Sequence, residues 1–146
     1  RALSYILNSA SAAYNIIGAT AMTVVSDGTV RAGSGGTRGF AGILANPEIQ
    51  ALFGSSGVPL NPSLTLTNGV VAACVTMGRI FVTLPAAANI GDLVVYDNTT
   101  GALSTVAPGA ALPVGKTFAQ AQVIRYTLTV AGVAVIEIDP SLIAPV

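Results

Sequence analysis

Alternation of apolar and polar residues is clearest near the C-terminal end of the chain. Because successive side chains of a strand point to opposite faces, a period of two indicates a strand with one buried and one wetter face. The pattern predicts such a strand over Gln122 to Val130, in which Arg125, Thr127 and Thr129 would face outward. The residues predicted to point inward are Ile124, Tyr126, Leu128 and Val130.

A partner strand follows this one directly. Ala131-Gly132 predicts a tight turn, and Val133 to Asp139 alternates again, with Glu137 and Asp139 outward. The residues predicted to point inward here are Ala134, Ile136 and Ile138. The two segments together predict a C-terminal β-hairpin.

The same signals recur upstream. Ser63 to Thr67 and Val70 to Met77 flank Asn68-Gly69, a dipeptide favoured where both central turn residues need a positive φ, so they predict a hairpin. Arg79 to Leu84 predicts a strand with Ile80, Val82 and Leu84 inward and Phe81 and Thr83 outward. Pro85 ends it, because proline cannot donate to a ladder.

A further hairpin is predicted from Asp92 to Tyr96 and Ala102 to Val106, which are joined by residues 97–101, rich in turn formers. One short helix is predicted over Asn46 to Phe53. Asn46 can cap its first turn, Pro47 suits its first position, and Gly54 can take the left-handed conformation that ends it.

These elements predict a mainly β fold of seven or more short strands. Many short strands separated by Gly- and Pro-rich turns favour an antiparallel β-barrel or jelly-roll-like sandwich over alternating β and α elements. Residues 1–14 have no clean period and are predicted to form an extended N-terminal arm, and 15–146 a single β domain. The glycine-dense stretch from Arg31 to Phe40 is predicted to be a loop that is mobile or ordered by a partner.

Charge is scarce in this chain. Its 146 residues carry six basic and six acidic side chains, and charged residues make up 8%, whereas a typical soluble domain has about 25%. The neutral balance predicts no nucleic-acid binding. Mean hydropathy is +0.73, yet the apolar runs are too short for a membrane span or a secretory signal. A surface this neutral favours association with partners in an assembly.

Two glycine-rich segments resemble nucleotide-binding loops and fail on spacing. Gly109 to Thr117 ends in Gly-Lys-Thr, but five residues separate Gly109 from Gly115 where a phosphate-binding loop has four. A strand rather than a helix is predicted to follow it, so the segment is read as a connection between β elements. In Gly33 to Gly39, Arg38 stands where a dinucleotide-binding motif would have its third glycine.

The sequence contains few of the residues from which catalytic and metal-binding sites are built. The chain has no histidine and one cysteine, Cys74, which excludes Ser-His-Asp and Cys-His machinery and thiolate zinc sites. Cys74 is predicted to be a small buried core residue. Glu137 and Asp139 share one strand face, as solvated carboxylates commonly do. We therefore predict no enzyme activity, no cofactor and no metal site.

Once the strands are placed, the region from Phe40 to Asp139 resembles a known family. The matching segments, in order, are FAGILANP, VTLPAAANIGD, VVYDNTTGALS and AGVAVIEI. They are similar to the structural cement proteins, also called capsid decoration proteins, of tailed bacteriophage heads. Each segment is a turn-and-strand signature, and the specificity comes from their order.

This resemblance implies a non-enzymatic β protein in the virion, on the outer surface of the assembled capsid, that bridges neighbouring major capsid protein subunits. It also implies binding as a homo-oligomer and, in some members, through a terminal arm. Two alternatives stay open: another virion β module, such as a tail or fibre component, and a small secreted binding domain.

Six residues are candidates for the capsid or self-association interface. Tyr5, Ile6 and Leu7 would be apolar anchors of the arm, although they could equally form an edge strand of the protein's own sheet. Arg38 and Phe40 lie in the glycine-rich loop, and arginine and aromatic residues are enriched at binding hot spots. Lys116 is the sixth candidate, because it is one of only six basic residues in a chain with little charge.

Overall fold

The computed structural model of the chain describes residues 1–45 and 65–142. Within these residues the chain forms ten strands and one 3-10 turn, Ala12–Tyr14. The strands are β1 (Ala2–Ile6), β2 (Ala21–Val24), β3 (Val30–Ala32), β4 (Phe40–Ala45), β5 (Val71–Val75), β6 (Gly78–Leu84), β7 (Leu93–Asp97), β8 (Leu103–Val106), β9 (Lys116–Arg125) and β10 (Gly132–Ile138).

The strands form two five-stranded antiparallel sheets. Sheet I has the order β1-β5-β4-β2-β3, and sheet II has the order β6-β10-β9-β7-β8. The mainly β, antiparallel prediction is confirmed, and two such sheets fit a sandwich. A closed barrel and a jelly-roll connectivity stay predictions.

Two hydrophobic clusters lie on opposite faces of sheet I. Ala21 and Ile43 pack in the first cluster, with the inward residues of sheet II. Their chain neighbours Met22 and Leu44 pack in the second cluster, as strand alternation requires. Leu7, just after β1, belongs to the second cluster and forms a parallel bridge to Val30 of β3. Sheet I is therefore curved enough for its two outer strands to meet at one end.

Residues 18–21 connect the two sheets through their backbone. Thr83 of β6 donates its N–H to the carbonyl of Gly18 at 2.9 Å, and Leu103 of β8 donates to Ala19 at 3.2 Å. These strands are the two edges of sheet II. One short segment thus binds both of those edges.

Gly101 lies where the sheets approach most closely. It takes a φ of +73°, and its carbonyl accepts the N–H of Ala21 at 2.8 Å. A Cβ at this position would lie 2.5 Å from the Ala21 carbonyl oxygen and 2.7 Å from the Gly33 nitrogen. Only glycine therefore fits without displacing backbone from both sides.

A buried polar network holds the segment between β1 and β2. Asn15 is fully buried, and its side-chain amide donates to the Leu66 carbonyl at 3.0 Å and to Asn68 Oδ1 at 2.9 Å. Ser9 donates its hydroxyl to Asn15 Oδ1, and the same hydroxyl accepts the Ala32 N–H. Because buried polar groups are costly when unpaired, this closed set fixes the path of residues 8–16.

Several sequence predictions are confirmed. β6 has the predicted bounds within one residue, with Val82 and Leu84 buried and Phe81 and Thr83 exposed. The hairpin of β7 and β8 has the predicted loop, residues 97–101. Ala134, Ile136 and Ile138 of β10 all point into the core.

The prediction for β9 is wrong in phase and length. The strand begins at Lys116, its buried residues are Ala119, Ala121 and Val123, and it ends at Arg125. Gln120 and Tyr126 have positive φ, 53° and 68°, which interrupts regular alternation and changes which side chains face inward. Leu128 pairs with Ala88 instead of β10, so the connection to β10 is longer than a tight turn.

The predicted hairpin around Asn68-Gly69 is also corrected. The turn is present, but β5 pairs with β1 and β4. Thr65 instead bridges Ile16. β1 and β4, which are distant in sequence, pair with the two sides of β5, so residues 65–67 cannot pair with it.

Two further predictions concern the first residues of the chain and the segment that follows β4. The helix predicted over residues 46–53 lies outside the described residues. Ala2–Ile6, within the predicted arm, forms the edge strand of sheet I, which is the alternative left open for Tyr5 to Leu7. The division into an arm, 1–14, and a domain, 15–146, stays a prediction.

Gly101→Ala tests the close approach of the sheets, with Gly109→Ala as its matched control. Both glycines have positive φ, 73° and 82°, but nothing lies within 4 Å of a Cβ at Gly109. Each substitution should cost about 1 kcal/mol for the φ alone, and Gly101→Ala about 2 kcal/mol more for backbone displacement. Urea unfolding of both variants measures the difference, and equal destabilisation would contradict the assignment.

Candidate functional site

The three candidates near the N-terminus do not share one environment. Ile6 is 48% exposed, whereas Leu7 is only 1% exposed and belongs to the second hydrophobic cluster. Tyr5 is half-buried and packs against the same cluster. Of these three, Ile6 exposes the largest fraction of its side chain to solvent.

Arg38 and Phe40 also differ. Arg38 is exposed in the loop between β3 and β4, where its N–H donates to the Val24 carbonyl at 3.0 Å. Phe40 packs between the sheets and stacks on Tyr96, with ring centroids 5.9 Å apart and 19° between planes. The Phe40 ring thus packs mostly inside the fold, and Arg38 is the more accessible of these two candidates.

Lys116 is half-buried at the start of β9 rather than isolated on the surface. Its Nζ donates to Ser104 Oγ at 2.9 Å, and it lies opposite Asp97 in the β7–β9 register. Backbone N–H groups of Thr100 and then Thr99 lower the pKa of Asp97. These groups stabilise the end of the β7–β8 hairpin.

The structure brings together the two glycine-rich segments that the sequence analysis singled out. Asn98 donates its N–H to the Gly115 carbonyl and accepts the Ser34 N–H, both at 2.9 Å. Its side-chain oxygen accepts the Thr117 hydroxyl. Asn98 therefore ties both segments to the hairpin loop, and Lys116 and Thr117 lead into a strand, as predicted.

The acidic residues of the described part of the chain are distributed singly. Glu137 accepts from Arg79 Nε at 2.9 Å, and Asp139 accepts from the Ser141 hydroxyl at 2.8 Å. Within residues 1–45 and 65–142, no three His, Cys, Asp or Glu residues lie close enough together to hold a metal ion. The same residues contain no helix long and apolar enough to cross a membrane.

An apolar pocket of about 510 Å³ opens beside the junction of the sheets. Its lining contains no charged side chain and includes Tyr14, Ile16, Ile17, Thr83, Pro85 and Leu103. It offers apolar contact and shape, and the polar residues among its described lining are Tyr14 and four threonines.

Among the described strands, the outer face of sheet II carries two exposed apolar side chains in neighbouring rows. Val135 of β10 lies between Phe81 of β6 and Arg125 of β9 in the strand register, and Val133 lies opposite Thr83 in the adjacent row. Phe81 is 65% exposed and Val133 53%, whereas Val135 between them is only 7% exposed. We name this surface the Phe81 face: Arg79, Phe81, Thr83, Arg125, Val133, Val135 and Glu137.

The sequence analysis missed the Phe81 face as a candidate site, although one signal was available. The alternation in β6 predicts an outward Phe81, and an aromatic residue on the wet face of a strand is unusual enough to suggest a partner. Val133 carries the same signal, because it precedes the inward series that begins at Ala134. The prediction that Tyr5, Ile6, Leu7, Arg38, Phe40 and Lys116 contact a partner is untested by these observations.

Comparison with known proteins gives one family. The family model described as Structural cement protein (E217 gp24/Pam3 gp6) matches residues 2–139. A search of curated protein sequences finds no match. Among solved structures, the head fibre gp8.5 N base of bacteriophage phi29 is similar to this chain. The alignment covers 99% of each of the two chains, at 8% sequence identity and a TM-score of 0.48. A likeness at that level carries no functional inference.

Cys74 should be chemically inert in the folded protein. It is fully buried, and burial raises the pKa of its thiol to about 12. Because the thiolate is the reactive species, iodoacetamide should leave native protein unlabelled in mildly alkaline buffer and should label it fully in urea. Mass spectrometry reads both states, and rapid labelling of native protein would contradict the burial.

Proposed function

The chain belongs to the structural cement proteins of bacteriophages, and from that premise we propose that it bridges neighbouring major capsid protein subunits on the outer surface of the head. Membership makes it a structural component of the virion that associates with the capsid. The position on the outer surface, the bridging, the major capsid protein as partner and the lack of enzymatic activity are parts of the proposal.

The Phe81 face is the observation that supports a protein contact most directly. Phe81 and Val133 expose more than half of their side chains on adjacent strands. Cross-strand pairing holds them on a sheet, so little conformational entropy is lost when a partner covers them. Arg125 lies two strands from Phe81, across Val135, and aromatic residues and arginine are both enriched at binding hot spots.

The charge pattern of this face suits a largely apolar contact. Arg79 and Glu137 pair with each other at its far end. Desolvating an unpaired charge is costly, whereas a mutually satisfied pair at the rim of an interface costs little. A capsid surface that places a carboxylate near Arg125 would complement the face.

Bridging requires a second contact, on another subunit. The exposed predicted residues Ile6 and Arg38 lie on or beside sheet I, away from the strands that form the Phe81 face. We assign the second contact to this side of the molecule. A chain held by two contacts to two subunits then resists their separation.

Stabilisation of the shell follows from mass action. A protein that binds the assembled shell and not its separated subunits stabilises the shell by RT ln(1 + [L]/Kd) at each site. Many equivalent sites act on one particle, so a modest affinity at each site is sufficient. The mechanism needs no chemical step.

Head binding tests the proposal through the Phe81 face. Phe81→Ser and Val133→Ser should each weaken binding to undecorated heads by about 2 kcal/mol, or about thirtyfold, because each removes a central apolar contact. Co-sedimentation with heads measures the affinity. Val114→Ser is the control, since Val114 is fully exposed but lies in the loop before β9.

Two further readouts separate binding from bridging. Stoichiometric binding of the unmodified protein should raise the temperature at which heads break open, and cross-linking should join one chain to two capsid subunits. No binding to intact heads would overturn the cement proposal and would favour a tail or fibre role. Equal binding by all three variants would leave cement binding intact and remove the Phe81 face from it.

A further inference from the structure

Tyr126, directly after β9, has an unusual backbone conformation. It takes a φ of 68°. In this left-handed region the Cβ crowds the following carbonyl oxygen, so a bulky residue there is rare and its backbone is strained. Within the described part of the chain, Gln120 is the only other residue apart from glycine with a positive φ, 53°. Tyrosine is the bulkier of the two, and its presence at this position requires a physical reason.

The backbone on both sides of Tyr126 is fixed by pairing with the segment that precedes β7. Val123 donates its N–H to the Asp92 carbonyl at 2.9 Å. Leu128 and Ala88 exchange two hydrogen bonds, of 2.7 and 3.0 Å. The stretch between these pairs is therefore held at both ends. A strained backbone persists where its surroundings fix it in this way.

The Tyr126 ring gains little from the protein's own core. It is 54% exposed and belongs to neither hydrophobic cluster. Glycine or asparagine would fit this backbone with less strain, so core packing does not account for a tyrosine here. A bulge between Val123 and Arg125 precedes it, and bulges redirect side chains next to functional sites. The backbone thus presents the ring to solvent, where a partner can cover it.

Two neighbours of Tyr126 indicate which kind of partner fits this place. Ile90 lies in the turn that pairs with the same stretch, and it is 58% exposed. Arg125 directly precedes Tyr126 and is exposed. The Asp92 carboxylate accepts the Asn89 N–H at 2.9 Å within its own turn. We name Ile90, Arg125 and Tyr126 the Tyr126 patch, which fits a protein surface with an apolar pocket and a carboxylate near the arginine.

We propose that Tyr126 inserts into an apolar pocket of the capsid subunit that covers the Phe81 face. Arg125 belongs to that face and directly precedes Tyr126, so one partner can contact both. Because the backbone already holds the tyrosine in place, little conformational entropy is lost on binding, and tyrosine is enriched among the residues that anchor interfaces. This inference rests on the proposed function and adds to it a contact residue outside the regular strands.

Charge favours a capsid subunit over a second copy of this chain as the partner of the Tyr126 patch. A twofold self-contact sets a surface patch against itself. Two Arg125 side chains would then come together, and like charges that face each other weaken a contact. A capsid subunit that places a carboxylate here pairs with Arg125 instead.

Tyr126→Asn tests the anchor, with Gln120→Asn as its matched control. Asparagine tolerates a left-handed φ, so each substitution shortens an exposed side chain without adding strain. Both variants should keep or raise the urea midpoint of unfolding. Tyr126→Asn should weaken binding to undecorated heads at least about tenfold in co-sedimentation, whereas Gln120→Asn, outside the patch, should change it by less than about twofold.

The two readouts separate a structural role from a binding role. A urea midpoint of Tyr126→Asn below that of Gln120→Asn would mean that the ring supports the fold, and would overturn the proposal. Equal head binding by both variants would remove Tyr126 from the interface and leave the cement function intact, whereas unmodified protein that fails to bind heads would remove both. Retained head binding with loss of self-association in analytical ultracentrifugation would assign the patch to a second copy instead.

Discussion

The arrangement of the whole molecule depends on the backbone of residues 18–21. Gly18 and Ala19 accept hydrogen bonds from β6 and β8, which are the two outer strands of sheet II. Buried backbone groups need partners, and an unpaired sheet edge is exposed to unwanted pairing. Residues 18–21, at the start of β2, supply hydrogen-bond partners to both edge strands of sheet II and also cover those edges. The same residues also fix the distance at which Ala21 and Ile43 enter the common core.

This constraint determines which surfaces are left for partners. The inner face of sheet II is used by the core, and its two edges contact residues 18–21, so its outer face is the part that a partner can cover. In sheet I, Val30 of β3 bridges Leu7 and accepts the Asn8 N–H, so β3 occupies the outer side of the chain at the end of β1. Within the described residues, the molecule thus offers a side-chain face more clearly than a backbone edge.

Local patterns were enough to predict part of this fold. β6, β10 and the β7–β8 hairpin were predictable because alternation and turn residues act over a few positions. The phase of β9 was not, because Gln120 and Tyr126 take positive φ without being glycine, which the pattern cannot reveal. The partners of β5 were not predictable either, since both come from strands distant in sequence.

Predicting site residues has a different physical limit. Leu7 and Phe40 were candidates because they are apolar and lie near a glycine-rich or irregular segment, but apolar side chains serve cores and interfaces equally well. The structure separates the two uses: Leu7 is buried and Phe40 stacks on Tyr96, whereas Phe81 is exposed. For Phe81 the strand phase alone was informative, because it placed an aromatic ring on the outer face. Exposed apolar residues are thus easiest to predict where the element that carries them is regular.

The scarcity of charge is physically consistent with a largely apolar contact. Apolar and backbone hydrogen-bonded contacts depend weakly on salt, whereas contacts between exposed charges are screened over about 10 Å at ordinary ionic strength. A chain with 8% charged residues therefore relies on shape and hydrogen bonding to recognise a partner.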